Sequence, residues 1–465
     1  MEYNAQSIGQ LAEMVVQTLR QGLAAGAGDA GERVGLPAVE QALRELLRQA
    51  GAEALGLFLS SGSGTPASQR RCRCGGVTHY QRQRAATVIS VFGRVDYTRA
   101  YYAGCACGRG TAPVDEAYGL RPGEITVALG NLLALAGAEF SFEQSCVWLE
   151  AFLLFAVSEN TVRAQTEALG ALQAEHEAEL CQRMQAEDSL QTRQRAPGPI
   201  PARLYGSLDA AKVRIEPRQT AEKQAEHESW RDLKIGCWYE AEAVPSAQRS
   251  ARQRSQAERD QPVLRAKHIR YFCDIAEASE FGKFVWGTGC AANADLTPEL
   301  IFVCDGAPWI WNLVEHYYPH ACQIVDWFHA EEHLERVAQA AFSDPVQRQP
   351  WLEQVTDALW NGRVGSVIQT CERLAAHCAV ARQAVTYFTH HAARMRYDQF
   401  RAAGYLIGSG TVESGCKQIV AQRLKRSGAQ WLRDGAVHTA KARAAWLSGD
   451  WPALCAQRAA LPLAV

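Results

Sequence analysis

Two aspartates and a glutamate, well separated along the chain, occupy positions from which carboxylates can converge. Asp209 ends an apolar run in GSLDAAKV and Asp305 ends another in FVCDGAPW; a small residue follows each. Glu413 lies in IGSGTVESGCK, where Ser409 or Thr411 is placed to cap a helix and leave Glu413 in its first turn. Carboxylate oxygens are preferred ligands of Mg²⁺. Two such cations about 3.5–4 Å apart activate an attacking oxygen and stabilise the leaving oxygen of a phosphodiester. Asp209 suits the bridging position, with Asp305 on one ion and Glu413 on the other. The expected catalytic cofactor is therefore two Mg²⁺ or Mn²⁺ ions. One such aspartate alone reads as a turn or cap residue; three acids in one element order make the case. Asp326 and His329, three apart in IVDWFHAEEHL, form a second catalytic pair, placed to hold a base or orient a water beside the metals.

The elements that must carry these side chains follow a definite order. Apolar runs at 203–209, 233–244 and 268–276 predict three successive strands. A helix is expected at 279–291, then a strand ending at Asp305, a helix opening at Pro308 and a strand ending at Asp326. Residues 328–400 read as helical throughout, and a closing helix starts near Thr411 and runs past Lys425. Three strands, helix, strand, helix, strand and closing helix is the order of an RNase H-like α/β catalytic domain, here over 200–450 with an all-α insertion at about 328–400. Ligands of open α/β sheets bind at strand ends, where both aspartates sit.

The front half has a different texture. Residues 1–60 predict a helical region broken at 22–31, with a second helix at 37–50, and 60–69 (SSGSGTPASQ) reads as a linker. Residues 66–115 predict a β unit whose hairpin turns at Gly93. Cys72-x-Cys74 and Cys105-x-Cys107 flank it like the knuckles of a zinc ribbon, so a structural Zn²⁺ held by four thiolates is expected. Residues 120–190 predict a helical region with a helix-turn-helix-like segment: a helix at 142–154, a turn at Val157, and a second helix capped by Ser158. Its Asn160, Thr161, Arg163 and Gln165 are positioned to reach base edges or phosphates. An ordinary helical hairpin is the alternative, and Cys146, Trp148, Leu149 and Phe152 read as core in both cases. A second linker is expected at 190–202.

The 465 residues include 15 cysteines and carry a net charge of −2, so the chain is no polycation and no disulfide scaffold. Cys146, Cys237 and Cys322 read as small core residues. Two stretches are locally basic, 246–271 and 423–443. A run of charge is most often a solvated face. Lys417, just before the second stretch, and Arg423, Lys425 and Arg426 within it would however continue from Glu413 along a path that DNA could follow. Trp431, just past the helix stop at Gly428, is placed to stack on an unpaired base. The N-terminal segment lacks a secretory pattern and no apolar run reaches the roughly 18 residues of a membrane span, so a cytoplasmic protein with no membrane partner is expected.

The stretch GYLIGSGTVESGCKQIVAQRLKRSGAQW, followed by a helix ending ARAAWLSGDW, closely resembles the C-terminal signature of ISKra-four insertion-sequence transposases. SLDAAKVR, FVCDGAPWIW, IVDWFHAEEHL and the upstream FGRVDYTRAYYAGC fit the same family. The resemblance runs from about residue 70 to about 452 and implies a DDE transposase with the triad at Asp209, Asp305 and Glu413. It implies double-stranded DNA, both element ends and target, as the partner, and a homo-oligomer in the DNA complex. Two positions depart from the pattern: Ala429 stands where the family has Met, and no Asn lies near His390 and His391.

Overall fold

The computed structural model describes residues 35–61, 66–215, 230–251, 253 and 263–460, together with 13, 15–17 and 20. The expected break at 22–31 and part of the Arg-rich stretch (252 and 254–262) lie outside the described residues. The fold is mixed α/β, with eight strands in two sheets among the described residues. The chain forms two compact units, 1–169 with 452–465, and 170–451. No helix among the described residues is long and apolar enough to cross a membrane.

In the first unit, α1 (Leu36–Ser61) packs on an antiparallel sheet of β1 (Gln69–Arg71), β2 (Val77–Ser90) and β3 (Gly93–Ala103). The expected linker at 60–69 is shorter than its composition suggests, because α1 runs to Ser61 and β1 begins at Gln69. Gly93 makes the hairpin turn with φ of 86°. Alternate residues of β3, Val95 and Tyr97, join Val88, Leu59, Val114 and Leu120 in one core cluster, as a half-buried strand requires. A second cluster forms around Leu129, Leu133, Leu149 and Val162. These come from α3 (Val127–Glu139), α4 (Phe142–Leu153) and α5 (Glu159–Gln185).

Trp148 and Phe152 were expected in that core and are not there. Their residues are 51% and 69% exposed, and their rings stack in a row with Phe140 at spacings of 6.0 and 5.9 Å. The helical period explains the miss: Ser145 and Leu149 face inward, which turns Trp148 and Phe152 toward solvent.

The second unit is built on a five-stranded sheet. Three long antiparallel strands, β4 (Arg203–Arg214), β5 (Trp230–Ala243) and β6 (Leu264–Asp274), form a meander. Two short strands, β7 (Glu299–Cys304) and β8 (Cys322–Val325), add in parallel on the other side of β4, giving the order β6-β5-β4-β7-β8. Residues 301–304 of β7 are buried without alternation, as expected of a strand covered on both faces. The crossovers are α7 (Ala278–Ala291) and α8 (Pro308–Tyr317). Five helices follow β8: α9 (Trp327–Ala341), α10 (Pro345–Trp360), α11 (Val364–Ala375), α12 (Ala379–His391) and α13 (Tyr397–Ala402).

Two expectations change here. The segment 190–202 is not all linker: Glu187–Arg195 is helical, and Arg193 is ion-paired to Asp295 at 2.6 Å. Its polar composition serves that contact. The closing helix is also not continuous. α14 (Gly410–Gly415) passes into a π-helical turn over Cys416–Ala421, and a separate helix, α15 (Arg433–Leu447), follows.

Candidate functional site

Strand register brings the two aspartates together. β4 and β7 pair with Arg203 beside Glu299 and Gly206 beside Phe302. The ladder ends there, Leu208 N donates to Cys304 Sγ at 3.3 Å just beyond it, and the Asp209 charge acts on Asp305, the residue that follows β7. Side chains alternate along a strand, so Tyr205, Ser207 and Asp209 share a face with Ile301 and Val303. Tyr239, Cys237 and Ile235 of β5 stand opposite Tyr205, Ser207 and Asp209 on that face, and Tyr271 stands opposite Cys237.

The segment holding Glu413 lies on the same face. Leu406 N donates to Tyr205 Oη at 3.2 Å, and Tyr271 Oη donates to Thr411 O at 3.2 Å. Cys416 Sγ donates to Asp209 Oδ2 at 3.1 Å, which brings the turn after Glu413 directly onto the first aspartate. Glu413 itself is exposed and accepts from Ser409 Oγ at 3.2 Å. Helix α14 packs against both β4 and β5. Asp209 lies inside β4, which runs on to Arg214 instead of ending at residue 209 as expected, so one strand interior, the end of β7 and one short helix supply the three carboxylates. They do not form a tight cluster: among the described residues, only the four cysteines considered below have three or more potential ligand atoms all within 4.8 Å of one another.

Electrostatics at Asp305 reflect this crowding. Burial raises its carboxyl above the usual range, and the charges of Asp209 and Asp326 push the same way, against the Ala307 amide and His329. Its Oδ1 accepts from Ala307 N at 3.0 Å. A cation between the aspartates would relieve the penalty that burial and like charge impose.

Asp326 has a structural job. It is 1% exposed, Oδ1 accepts from His329 N at 2.7 Å as the cap of α9, and Oδ2 accepts from Ser409 N. With both oxygens taken by backbone amides, it ties the irregular segment leading to Glu413 onto the end of β8. His329 is half-buried, and its charge acts on Asp305.

Sequence reading missed the ring cluster over Asp305. Tyr387 of α12 lies against Gly306, where a Cβ would come within 2.3 Å of its ring, so only glycine fits beside Asp305. The Tyr387 ring stacks on His333 at 3.9 Å and lies 4.9 Å from His391 and 6.4 Å from His329. Its hydroxyl is buried and has no hydrogen-bond partner among the described residues. Burial first, then the charges of Asp305 and Asp326, push its pKa up, so it stays a donor. His333 and His391 are both held at about 4 by burial first, with His329 acting on the former and Arg394 on the latter. Nothing local in α12 marks Tyr387. Cys416, by contrast, stands three residues after Glu413, a helical spacing that could have found it.

The expected DNA-contact residues divide. Lys417 and Lys425 are exposed and Arg426 is half-buried. Arg423 is 2% exposed beneath Trp431, whose indole is itself buried and donates to Leu424 O at 3.0 Å. Neither is presented to solvent, which corrects the expectation for both. Burial, with Arg426 and Arg443 nearby, lowers the Arg423 pKa to about 9. Lys441 and Arg443 are buried too; Lys441 Nζ pairs with Glu177 at 2.5 Å and Asp274 at 3.1 Å. Basic residues here hold the unit together, because an α15 lined with alanine brings them close to buried acids and carbonyls. In the first unit Ser158 does cap α5, accepting from Thr161 N at 3.2 Å, and Thr161 Oγ1 is bonded to Ser158 Oγ. Asn160 and Arg163 are exposed and bonded to each other at 2.9 Å. Gln165 is committed to Arg458, which also reaches Asn131 at 3.2 Å, so it is not a free reading residue.

The cysteine cluster could hold a structural metal such as zinc. Cys72, Cys74, Cys105 and Cys107 offer sulfurs all within 4.8 Å of one another. Both knuckles are built alike: Gly75 N donates to Cys72 O and Gly108 N to Cys105 O, each at 2.9 Å. Gly75 and Gly108 have φ of 89° and 73°, a left-handed bend that glycine takes without strain. One residue between the cysteines therefore suffices, because the glycine that follows completes the turn. Of the other cysteines, Cys237 is 1% exposed as expected, whereas Cys146 and Cys322 are only half-buried. In comparisons with known proteins, no family model matches this chain, and neither does any curated protein.

Proposed function

We propose that this chain is a DNA transposase with an RNase H-like catalytic domain, which binds the ends of an insertion sequence, cleaves them and joins them to target DNA. The observation that carries the reading is that Asp209 of β4, Asp305 at the end of the neighbouring β7 and the turn after Glu413 come together on a sheet ordered β6-β5-β4-β7-β8. Three antiparallel strands followed by two parallel ones, with a helical block before the last acid, support the RNase H-like assignment. The sequence resemblance over most of the chain supports strand transfer over simple hydrolysis.

The donor set is all hard oxygen, which fits Mg²⁺ or Mn²⁺. Asp209, Asp305 and Glu413 would hold two such ions, which supply an activated oxygen nucleophile and stabilisation of the leaving oxygen. The chain's own residues do the rest. Asp326 fixes the irregular segment before Glu413, Cys416 orients Asp209, and Tyr387 keeps a buried donor beside Asp305. No covalent protein intermediate is needed, because a 3′-hydroxyl released by cleavage is itself the nucleophile for joining. The test is a divalent-metal assay on DNA carrying the element's ends. Joined products are the expected result. Cut but unjoined DNA would make the protein a nuclease, and bound, uncut DNA would make it a binding protein that has lost its chemistry.

A further inference from the structure

The β unit of the first compact unit is strongly basic. Between residues 66 and 112 there are eight arginines, one aspartate, and no lysine or glutamate, in a chain whose net charge is −2. Three of the arginines have acidic partners: Arg94 with Asp96, Arg99 with Asp115 and Arg73 with Glu116. Arg70, Arg71, Arg82, Arg84 and Arg109 are exposed and have no ion pair among the described residues. Five like charges on one small sheet repel each other, and a polyanion removes that cost.

Their presentation is as informative as their number. Residues 81–85 of β2 (Gln-Arg-Gln-Arg-Ala) are all exposed. β1 covers only Val77–His79, so from Gln81 to Ala86 no strand among the described residues pairs with the outer edge of β2. The ladder to β3 shifts between Tyr80 and Arg82, a bulge that twists the strand and re-aims its side chains. Arg84 lies over the Tyr101 ring at 5.1 Å and Arg70 over the Tyr102 ring at 5.9 Å. A guanidinium laid on an aromatic face is held in place with its N–H edge still open. Charges also guard an edge strand against pairing with another chain, but that role needs neither five arginines nor aromatic supports under two of them.

We propose that this ribbon is a binding surface for duplex DNA, with Arg82 and Arg84 on phosphates of one strand and Arg71, on the same face, and Arg109 continuing the contact beside the cysteine knuckles. A two-stranded ribbon is a shape that the major groove admits. Arg82 and Arg84 share one face of β2, so a single duplex can take both on its phosphates. The inference shares a DNA partner with the catalytic reading but rests on different residues.

The test uses the full chain and a short fluorescein-labelled DNA duplex, with no divalent metal added, over about 50–200 mM salt. Replacing Arg82 and Arg84 with Gln should flatten the slope of log K against log salt by nearly two units, about 0.9 per phosphate lost. Replacing both with Lys should keep the wild-type slope, and unchanged zinc content in both variants shows that the knuckles still fold. A Gln variant with the wild-type slope would overturn the proposal and leave the catalytic reading standing. Tighter binding to duplex RNA than to DNA would also overturn it. A wild type that binds no DNA would overturn both, whereas full cleavage by an Asp209→Asn variant would overturn only the catalytic one.

Discussion

The thiol of Cys416 donates a hydrogen bond to Oδ2 of Asp209 at 3.1 Å, linking the turn after one acid to the side chain of another. Burial first, then the Asp209 charge, keep Cys416 a thiol. It therefore orients the carboxylate without competing for a hard cation. Cys416→Ala should lower metal affinity and cleavage by roughly 10–100-fold, the scale of lost ligand support, with Cys416→Ser recovering part of it. Asp209→Asn, Asp305→Asn and Glu413→Gln should each remove cleavage by at least about 10²–10³-fold. Of the three, Asp305→Asn should melt no lower than wild type without metal, since it removes a buried charge beside a like one. Cleavage rates and melting curves of the same preparations check both halves.

Tyr387→Phe keeps the stacking on His333 and removes only the buried hydroxyl. If that hydroxyl contacts the reacting phosphate, kcat should fall by about tenfold or more with little change in KM or melting temperature. A change in stability with normal turnover would make Tyr387 a packing residue only.

Removing metal from the cysteine knuckles should unfold the β unit. One zinc per chain is expected in purified protein, lost in Cys74→Ala, with a lower melting temperature after chelation because binding free energy is folding free energy. Metal-free protein of full stability would count against it.

The basic residues after Glu413 should separate by burial. Lys417→Ala and Lys425→Ala should each flatten the salt dependence of DNA binding by about one unit. Arg423→Ala should leave that slope alone and destabilise the protein, since its guanidinium is packed on Trp431. Equal slopes in all three variants would return the lysines to a solvated face.

Acid should weaken the second unit before its carboxylates protonate. His333 and His391 titrate near 4 in the folded chain against 6.5 ordinarily. A base with a depressed folded pKa contributes stability that is present above its unfolded pKa. As pH falls from 6.5 toward 4 the unfolded state binds more protons, and that stability is lost. Denaturant midpoints across this range should decline, and less steeply in a His333→Phe variant, which keeps the ring stack.

How much of this was legible beforehand follows from the range of the interactions involved. The strands, the Gly93 hairpin and the Pro308 helix start came from periodicity and turn chemistry, which are local. The β4 and β7 runs located Asp209 and Asp305, because each acid ends a run that must be buried. Local patterns could not say that these two strands are neighbours in register; that depends on hydrogen bonds between residues 203–206 and 299–302. Likewise Trp148, Arg423 and Trp431 were misjudged because polarity predicts burial only on average. Arg423 is enclosed by packing with Trp431, and Trp148 is turned outward by the helical phase that buries Leu149. The sequence by itself determined most of the element types and the paired cysteine knuckles. Only the tertiary structure decided that Cys416 meets Asp209 and that Tyr387 covers Gly306, since each contact joins segments that have no short-range reason to find each other.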